Sequence, residues 1–374
     1  MPILLLAVFL FGSGCDVPGF TNGAHDEPAV ARSVGAVSPT QGMNVGRAAH
    51  TATRLEDGRV LVAGGFDDEE RSLPSAEVYD PSADSFIPAD DMQTARLGHT
   101  ATLLPNGRVL ITGGYDGGYL ASAELYDPDA GTFAPAGEMV RARSDHVATL
   151  LPNGKVLLAG GVGEGWRFLA AAELYDPSTD TFTPTGSMTA PRESHTATLL
   201  ETSKVLIAGG HTGRDRAVTV HSSAELYDPA TGTFEKTGSL TVRRHKHDAT
   251  LLRNGRVLIT GGSDERDSEG AYTSAELYDP TTGSFSATGN MKAARYKHEG
   301  PSVVLTSGRI LVAGGASGAE TYDPATRAFS SAAGSMGTRR LFSTATLLRS
   351  GRVLIAGGYD QRVNVSAGAW IYQA

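Results

Sequence analysis

Residues 96–139 decide the fold, and they read RLGHTATLLPNGRVLITGGYDGGYLASAELYDPDAGTFAPAGEM. The rest of the chain repeats this pattern: an Arg before a small-residue run, an apolar run ending in Gly-Gly, and a Tyr-Asp-Pro followed by Phe. A self-similar period of about 40 to 50 residues is typical of stacked or circular arrays whose units cannot bury their apolar faces alone. We therefore interpret the chain as one repetitive domain.

Each copy of the repeat predicts four short antiparallel strands. An Asn-Gly or Asp-Gly pair, such as Asn106-Gly107, separates strands 1 and 2, and such pairs favour tight hairpins because both residues tolerate positive φ. The Pro after Tyr-Asp ends strand 3, since proline has no N–H to donate to a sheet. Strand 4 begins at a Phe seven residues after the Tyr. This spacing recurs at 79 and 86, 126 and 133, 175 and 182, 227 and 234, 278 and 285, and 322 and 329.

The ends of the chain indicate how many blades there are and how they close. Gly-Gly pairs begin at 64, 113, 160, 209, 261, 314 and 357. The last copy stops without a fourth strand, whereas residues 37–43 align with the end of a fourth strand at 183–188. An N-terminal strand that completes the final blade would close the circle and remove exposed sheet edges. We expect seven blades, with the small side chains of strand 1 innermost.

The paired glycines, the Tyr and the aromatic residue at a fixed offset resemble the kelch repeat. Phe stands where that family commonly has Trp, and the resemblance covers residue 47 to the C-terminus. It implies an all-β, seven-bladed kelch-type β-propeller over residues 35–374, with four antiparallel strands per blade. The N-terminal strand is expected to pair with the C-terminal blade.

Composition excludes some functions. A net charge of -9 and a pI near 5.6 argue against nucleic acid as a partner, because binding its backbone needs a concentrated cationic surface. With 46 Gly and 18 Pro, and no extended helical period after residue 14, the composition favours turns and strands. The single cysteine, Cys15, excludes an internal disulfide.

The N-terminus predicts export. Residues 1–14 are almost entirely apolar, too short to span a bilayer, and typical of a secretory signal peptide. The Gly-Ser-Gly-Cys junction resembles a bacterial lipoprotein signal, which implies lipidation of Cys15, although no Lys or Arg precedes the apolar run and Gly12 replaces the usual Leu. An ordinary cleaved signal and a misplaced start codon are the alternatives. Residues 15–34 read as a flexible tether, so we expect an envelope-anchored or secreted monomer that meets the membrane only through its lipid.

One face of the disc carries the sequence variation. In a four-stranded meander, the 2–3 loops share a face with the connections from strand 4 to the next strand 1, called here the 4–1 connections. The 2–3 loops differ in length and composition, and variable loops on a rigid scaffold usually hold binding sites. Tyr119, Trp166 and Arg214 are the principal aromatic and cationic candidates on them.

An arginine precedes strand 1 in every copy, at Arg47, Arg96, Arg143, Arg192, Arg244, Arg295 and Arg340. We expect these guanidinium groups to circle the channel mouth, where they would suit an anionic ligand; the resemblance implies this too, since kelch proteins that bind acidic peptides use arginines here. The alternative is structural pairing with a Glu that begins strand 3 in six copies. Trp370 replaces that Glu in the last copy, which makes Arg340 the candidate free anion contact.

Six histidines follow three residues after these arginines, at His50, His99, His146, His195, His247 and His298. A metal site is not predicted, because ligands from a symmetric ring spread outward and do not converge. Hydrogen bonding of each buried imidazole to a neighbouring blade is the simpler interpretation.

The enzymatic alternatives are limited. Copper-radical oxidases that resemble kelch proteins need a Cys cross-linked to a Tyr, and Cys15 is N-terminal; the sialidase Ser-x-Asp-x-Gly-x-Thr-Trp box is absent. We expect a protein- or glycan-binding module with no catalytic residue, cofactor or metal. A kelch-type sugar epimerase or mutarotase acting on an acidic sugar such as sialic acid is the alternative, with loop acids such as Asp116 or Asp360 available.

Overall fold

The computed structural model describes residues 35–214, 217–298, 300 and 302–374. The predicted signal peptide at 1–14, the tether at 15–34 and the lipidation site Cys15 lie outside these residues and stay predictions. Within the described part, seven four-stranded antiparallel sheets are arranged as blades. The predicted seven-bladed all-β propeller is confirmed.

Every blade contains one full set of four strands. Blades 1 and 2 consist of β2 (Thr51–Arg54), β3 (Val60–Ala63), β4 (Ala76–Asp80) and β5 (Ser85–Pro88), then β6 (Thr100–Leu103), β7 (Val109–Thr112), β8 (Ala123–Asp127) and β9 (Thr132–Pro135). Blades 3 and 4 consist of β10 (Val147–Leu150), β11 (Val156–Ala159), β14 (Ala172–Asp176) and β15 (Thr181–Pro184), then β16 (Thr196–Leu199), β17 (Val205–Ala208), β20 (Ala224–Asp228) and β21 (Thr233–Lys236). Blades 5 and 6 consist of β22 (Asp248–Leu251), β23 (Val257–Thr260), β24 (Ala275–Asp279) and β25 (Ser284–Ala287), then β26 (Ser302–Val304), β27 (Ile310–Val312), β28 (Glu320–Asp323) and β29 (Ala328–Ser331). Blade 7 consists of β30 (Thr344–Leu347), β31 (Val353–Ala356), β32 (Ala369–Gln373) and the N-terminal β1 (Ala36–Thr40).

Blade 7 is built from both ends of the chain, as predicted. β1 pairs antiparallel with β32, with Val37 opposite Tyr372 and Pro39 opposite Trp370. Because β1 is an outer edge strand, Pro39 is tolerated without losing a central hydrogen bond. The Val37 amide donates to the Ala333 carbonyl of blade 6 over 2.8 Å, so β1 also ties the last two blades together.

Strand 1 of each blade is innermost, also as predicted. Each inner strand contacts the inner strands of both neighbouring blades, so that β2 lies between β30 and β6 around the central channel. Small Thr and Ala side chains allow seven strands to converge on one axis.

The apolar core lies between blades. The side chains of strand 2 are completely buried, as in Val60 and Val62, and these two pack with Leu354 and Ile371 of blade 7. Each strand-3 Tyr packs on the strand-4 Phe opposite it, with ring centroids 4.7 to 5.0 Å apart in the six pairs. A single repeat would leave both of its apolar faces in water, which explains why the units fold as a ring.

The 2–3 loops break the regularity. In blades 3 and 4 they form two-stranded ribbons, β12 (Val162–Gly163) with β13 (Arg167–Phe168) and β18 (His211–Thr212) with β19 (Thr219–Val220). Short 3₁₀ helices occupy Glu164–Trp166 and Asp267–Gly270. Across the described residues, no helix combines the length and apolarity that crossing a bilayer requires.

Candidate functional site at the channel mouth

The 2–3 loops and the 4–1 connections meet on one face, as predicted. Residues of the 4–1 connections bridge to residues at the base of the 2–3 loops, as in Ala48 with Phe66 and Leu97 with Tyr115. The central channel opens on this face, and its cavity of about 390 Å³ is lined by the 4–1 connections and the inner strands.

The structure buries six of the seven predicted arginines in ion pairs, which is the structural alternative that the sequence analysis left open. Their side chains are 0–1% exposed, and each guanidinium binds the strand-3 Glu of its own blade. Arg96, for example, donates to Glu124 over 2.9 Å and to the Gly113 carbonyl over 2.8 Å. The same ion pair is formed by Arg47 with Glu77, Arg143 with Glu173, Arg192 with Glu225, Arg244 with Glu276 and Arg295 with Glu320.

The glutamate explains why these arginines turn inward. Glu124 also accepts hydrogen bonds from the backbone amides of Gln93 and Thr94, at 2.8 and 3.2 Å. The carboxylate therefore ties the 4–1 connection to strand 3, while the arginine ties both to the first glycine of the Gly-Gly pair. Buried charges are retained when they are paired and hydrogen-bonded in this way. These six Arg–Glu pairs, called here the blade clamps, are structural.

Arg340 lacks a clamp. Trp370 occupies the Glu position, and the Arg340 guanidinium lies 5.0 Å from the centre of the Trp370 ring. The side chain is partly buried, and its buried Nε has no hydrogen-bond partner. Burial lowers the pKa of Arg340, while the nearby Asp360 carboxylate acts in the opposite direction. Arg340 is the one predicted arginine that the structure leaves without a carboxylate in a clamp.

A ring of variable residues, called here the rim, surrounds the channel mouth. Each rim residue follows two positions after the repeat arginine and has a left-handed backbone, with φ between 50° and 62°. The rim consists of Ala49, Gly98, Asp145, Ser194, Lys246, Lys297 and Phe342. Five of their amides donate to the carbonyl of the rim residue in the preceding blade. A left-handed conformation is unfavourable for side chains other than Gly, so the surrounding blades impose it.

The rim is acidic on the side of blades 3 and 4. The Ser144 hydroxyl donates a short hydrogen bond to Asp145, an exposed residue that lines the channel cavity. Enclosure by the protein, followed by repulsion from Glu193, raises the pKa of Asp145 to about 7. This carboxyl therefore holds its proton more readily than an ordinary aspartate does.

Imidazoles and a lysine continue the site into blade 5. The Nε2 atom of His211 lies 3.1 Å from the Glu193 carboxylate. The Nδ1 atom of His211 lies 3.1 Å from the Nδ1 atom of His245. Lys246 donates to both carboxylate oxygens of Asp267, at 2.7 and 2.8 Å. These contacts join the 2–3 loops and 4–1 connections of blades 4 and 5 into one polar network.

The opposite side of the rim is aromatic. Lys297 donates to the Tyr359 hydroxyl over 2.8 Å, and its ammonium lies 5.5 to 5.7 Å from the ring centres of Tyr296, Phe342 and Tyr359. Phe66 packs against Tyr359 and extends this cluster into blade 1. Aromatic faces attract an ammonium group through their quadrupoles, which holds Lys297 at the rim.

The three predicted loop residues come together although they belong to blades 2, 3 and 4. Tyr119 packs edge-on against Trp166 with ring centroids 5.7 Å apart, and the Arg214 guanidinium lies over the Trp166 ring. Trp166 is 41% exposed and has a left-handed backbone with φ of 62°. A cleft of about 310 Å³ adjoins Tyr119 and Trp166. An exposed, strained Trp in a cluster of this kind is typical of a binding surface.

The histidines serve the ring, as the simpler interpretation predicted. His99 contacts the Thr51 hydroxyl of the preceding blade at 3.1 Å, and His50, His146, His247 and His298 make the corresponding contact to Thr side chains. Burial lowers the pKa of His50, His99 and His298 to about 3, so these imidazoles are neutral. Each one locks two blades together.

The rim residues are what the sequence analysis missed. The signal was present, because the position two residues after the repeated Arg carries six different residue types in the seven blades. A position that varies inside a repeated motif is a better candidate for recognition than the repeated charge beside it.

Comparison with known proteins agrees with this architecture. The kelch motif matches residues 57–93 and 96–140, which are blades 1 and 2, and the structure continues the same arrangement through blade 7. The chain is a kelch-repeat β-propeller. A search of curated proteins finds no significant match to this kelch propeller.

Solved structures share the kelch propeller fold. A fungal alcohol oxidase in complex with copper is 19% identical and superposes with a TM-score of 0.73, covering 91% of this chain and 76% of the oxidase. Identity at this level shows a common fold and nothing about activity.

The residues of this propeller do not fit copper. Among the described residues, no group of three or more His, Cys, Asp or Glu side chains is placed to hold a metal ion. The channel histidines lie one to a blade, and five of them already contact a Thr hydroxyl. Copper needs several such donors converging on one point.

Proposed function

We propose that this protein is an exported kelch propeller that binds a protein segment or a glycan through the channel-mouth face. The observation that carries the proposal is that the recurring residues of the repeat are buried, whereas the variable position lies at the channel mouth. Side chains that recur in the blades are buried in clamps and locks, whereas the rim position carries six residue types in the seven blades, and five of the seven rim residues line the channel cavity. Differing side chains on a rigid, preorganised ring suit specific recognition.

Arg340, together with arginines of a neighbouring cleft, would form an anion-binding subsite on this face. The 2–3 loop of blade 6 is short, and a cleft of about 630 Å³ lies above it, lined by Arg339, Arg362 and Asp360 among others. Arg340 lies beside Asp360 at the Trp370 ring. Three guanidinium groups near one cleft would attract a carboxylate or a sulfate on the ligand.

Export and anchoring are part of the proposal. A lipid on Cys15 and a tether over 15–34 would hold the propeller near a membrane surface while its binding face stays accessible. Metabolic labelling with a palmitate analogue tests this: labelling of the full chain and none of Cys15→Ala supports the anchor, and equal labelling refutes it.

The binding function is tested by capture from envelope extract. The soluble form that begins at Asp16 is compared with Arg340→Ala/Trp166→Ala, and with Arg108→Ala/Lys155→Ala on the opposite face as the matched control. We expect the first variant to lose the captured ligand at nearly unchanged thermal stability, and the control to retain it. Equal capture by both variants would refute the proposal, and unfolding of the first variant would return Arg340 to a structural role.

One observation favours a second function. Asp145, with a pKa near 7 at the channel mouth, is suited to proton transfer, as a sugar epimerase or mutarotase acting on an acidic sugar such as sialic acid requires. The clamped arginines weaken this alternative, because they do not reach a ligand. NMR measurement of anomer exchange in sialic acid and hexoses decides it: no acceleration by the protein excludes the activity.

A further inference from the structure

The cleft of about 310 Å³ between the 2–3 loops of blades 2 and 3 has aromatic walls, formed by Tyr115, Tyr119 and Trp166. The Tyr119 ring is steeply inclined to both neighbours, at 74° to Tyr115 and 88° to Trp166, with centroid distances of 5.3 and 5.7 Å. The Tyr119 hydroxyl is buried, so this residue offers its ring and not its oxygen to the cleft. Rings set at such angles surround a small group from more than one side.

The same cleft carries a negative charge without a counter-ion. Glu164 lines the cleft and is exposed, and no described residue forms an ion pair or a hydrogen bond with its carboxylate. The Arg214 guanidinium lies over the Trp166 ring, but Arg214 belongs to blade 4 and is not among the residues that line the cleft. An accessible carboxylate beside three aromatic rings attracts a cation through both its charge and the ring quadrupoles.

An occupied example of such a cluster lies on the other side of the same face. The Lys297 ammonium is 5.5 to 5.7 Å from the ring centres of Tyr296, Phe342 and Tyr359, and it donates to the Tyr359 hydroxyl over 2.8 Å. There the chain itself supplies the cation. In the cleft of blades 2 and 3 the rings and an acceptor, Glu164, are present, and a ligand ammonium would complete the same arrangement.

The chemistry of the cleft selects a lysine side chain over an amino sugar. A lysine carries its ammonium on a flexible four-carbon stem, and such stems lie along apolar surface while the charged end meets a polar partner. An amino sugar would instead place hydroxyl groups against the rings, where they find few partners. The net charge of -9 also favours approach by a basic segment.

We propose that this cleft binds a lysine side chain of a partner protein segment, with its ammonium at Glu164 and its stem against the three rings. Glu164 and Trp166 share one 3₁₀ turn, in which Gly165 and Trp166 have left-handed φ of 65° and 62°, so one short turn supplies both the carboxylate and the exposed ring. The inference rests on the proposed function and deepens it, because it selects a protein segment over a glycan.

The two tryptophans of the chain give the test its readout, because Trp166 lines the cleft and Trp370 does not. The probe is the tripeptide N-acetyl-Gly-Lys-Gly-amide, added to the ¹⁵N-labelled soluble form that begins at Asp16. The same peptide with norleucine keeps an apolar stem and lacks the ammonium, and glucosamine represents a glycan. We expect the lysine peptide to shift the Trp166 indole N–H signal and not that of Trp370, and to bind about tenfold more tightly than the norleucine peptide.

Two variants change the cleft, and each has a matched control. Glu164→Gln should weaken binding of the lysine peptide about three- to fivefold, whereas Glu201→Gln, at an exposed glutamate of a strand 1–2 hairpin on the opposite face, should not. Gly118→Leu should abolish binding by filling the cleft, since a Cβ at Gly118 meets nothing within 4 Å. Gly318→Leu places the same side chain on the blade 6 loop, where the nearest atom is 4.0 Å away, and should bind like the wild type.

Three results overturn the inference: no shift of the Trp166 signal by the lysine peptide, norleucine peptide or glucosamine binding at least as tightly as the lysine peptide, and equal binding by the wild type and Glu164→Gln. Melting temperatures are measured for every variant, and if Gly118→Leu fails to fold, Glu164→Gln decides. Capture through Arg340 and Trp166 is measured separately, so its persistence without lysine binding would leave the proposed function standing while the lysine site fails.

Discussion

Blade 7 and the six blades before it carry the same repeat, but they differ in how the 4–1 connection is held and in which part of the chain supplies the fourth strand. In blades 1 to 6, a buried Arg–Glu pair holds the 4–1 connection, whereas in blade 7 Arg340 lies against Trp370. Blades 1 to 6 are continuous in sequence, whereas blade 7 borrows β1 from the N-terminus. Ser343 stands where the others have His.

The difference shows how one substitution changes the environment of a repeated charge. The arginine itself is unchanged, and one substitution two strands away changes its environment from a buried ion pair to a partly buried guanidinium. Burial and pairing depend on the partner, which the arginine position alone does not reveal. Blade 7 is thus where the ring closes and where the repeated arginine is left without a clamp.

Deleting β1, the N-terminal strand that completes blade 7, should lower the free energy of unfolding more than any other change considered. Deletion through Thr40 would leave blade 7 with three strands, lose the pairing of β1 with β32, remove the buried Val37 and expose Tyr372. We expect a loss of about 5 kcal/mol or more from burial and hydrogen bonds together. Urea unfolding measures it, with a deletion through residue 34 as the control; equal stability of the two forms would contradict closure by β1.

Breaking a blade clamp should give the second-largest loss in the free energy of unfolding. Arg96→Ala leaves Glu124 buried without its counter-charge, which should lower the free energy of unfolding by about 3 to 5 kcal/mol. Arg340→Ala should lower it by about 1 kcal/mol, the usual size of a cation–π contact. Urea denaturation of both variants checks the contrast. Similar losses would mean that Arg340 is also structural.

Acid should unfold the histidine-locked blades. The pKa of His99 is lowered to about 3, so below pH 6.5 the unfolded chain binds a proton that the folded chain does not. Stability is therefore present above pH 6.5 and is lost as pH falls, by about 2 to 3 kcal/mol at pH 4.5 for this residue.

His99→Gln isolates that contribution. The variant should show a flatter decline in unfolding free energy between pH 7 and pH 4.5 than the wild type, measured by urea denaturation. An unchanged slope would mean that His99 is already protonated in the fold. Blade 7, with Ser343, has no such dependence of its own.

Asp248 should give the smallest effect, with the opposite sign. Its carboxylate accepts hydrogen bonds from the amides of Gly300 and Ser302 and holds the late-starting inner strand of blade 6. Burial raises its pKa to about 6, so the folded chain binds the extra proton and stability falls as pH rises from about 4 to 6.

We expect about 1 to 2 kcal/mol over this window. The measurement compares wild type with Asp248→Asn on a His99→Gln background, where the histidine contribution is reduced. A steeper fall for the wild type supports the assignment, and parallel curves reject it.

Much of the fold could be predicted from local sequence. The Asn106-Gly107 pair, the Gly-Gly endings and the Tyr-to-Phe spacing specify turns and strands that depend on neighbouring residues alone. The blade count and the ring closure followed because the missing fourth strand and residues 37–43 complement each other. These features are periodic, and periodicity is readable without coordinates.

The site was less accessible to sequence reasoning. Tyr119, Trp166 and Arg214 were found because aromatic and cationic residues on variable loops are conspicuous, although their mutual contact across three blades was not foreseen. The sequence left open whether the repeated arginines bind a ligand or pair with Glu, because the Glu lies two strands away and their contact depends on the tertiary structure.

The sequence alone determined the repeat, its strands, the number of blades and the face on which variation falls, because each depends on spacing along the chain. Only the tertiary structure decided which charges are buried in clamps, which side chains reach the rim, and which aromatic rings share a cleft with Glu164. Those properties depend on what lies opposite a side chain in the next strand or the next blade, and that distance is measured in space and not in sequence.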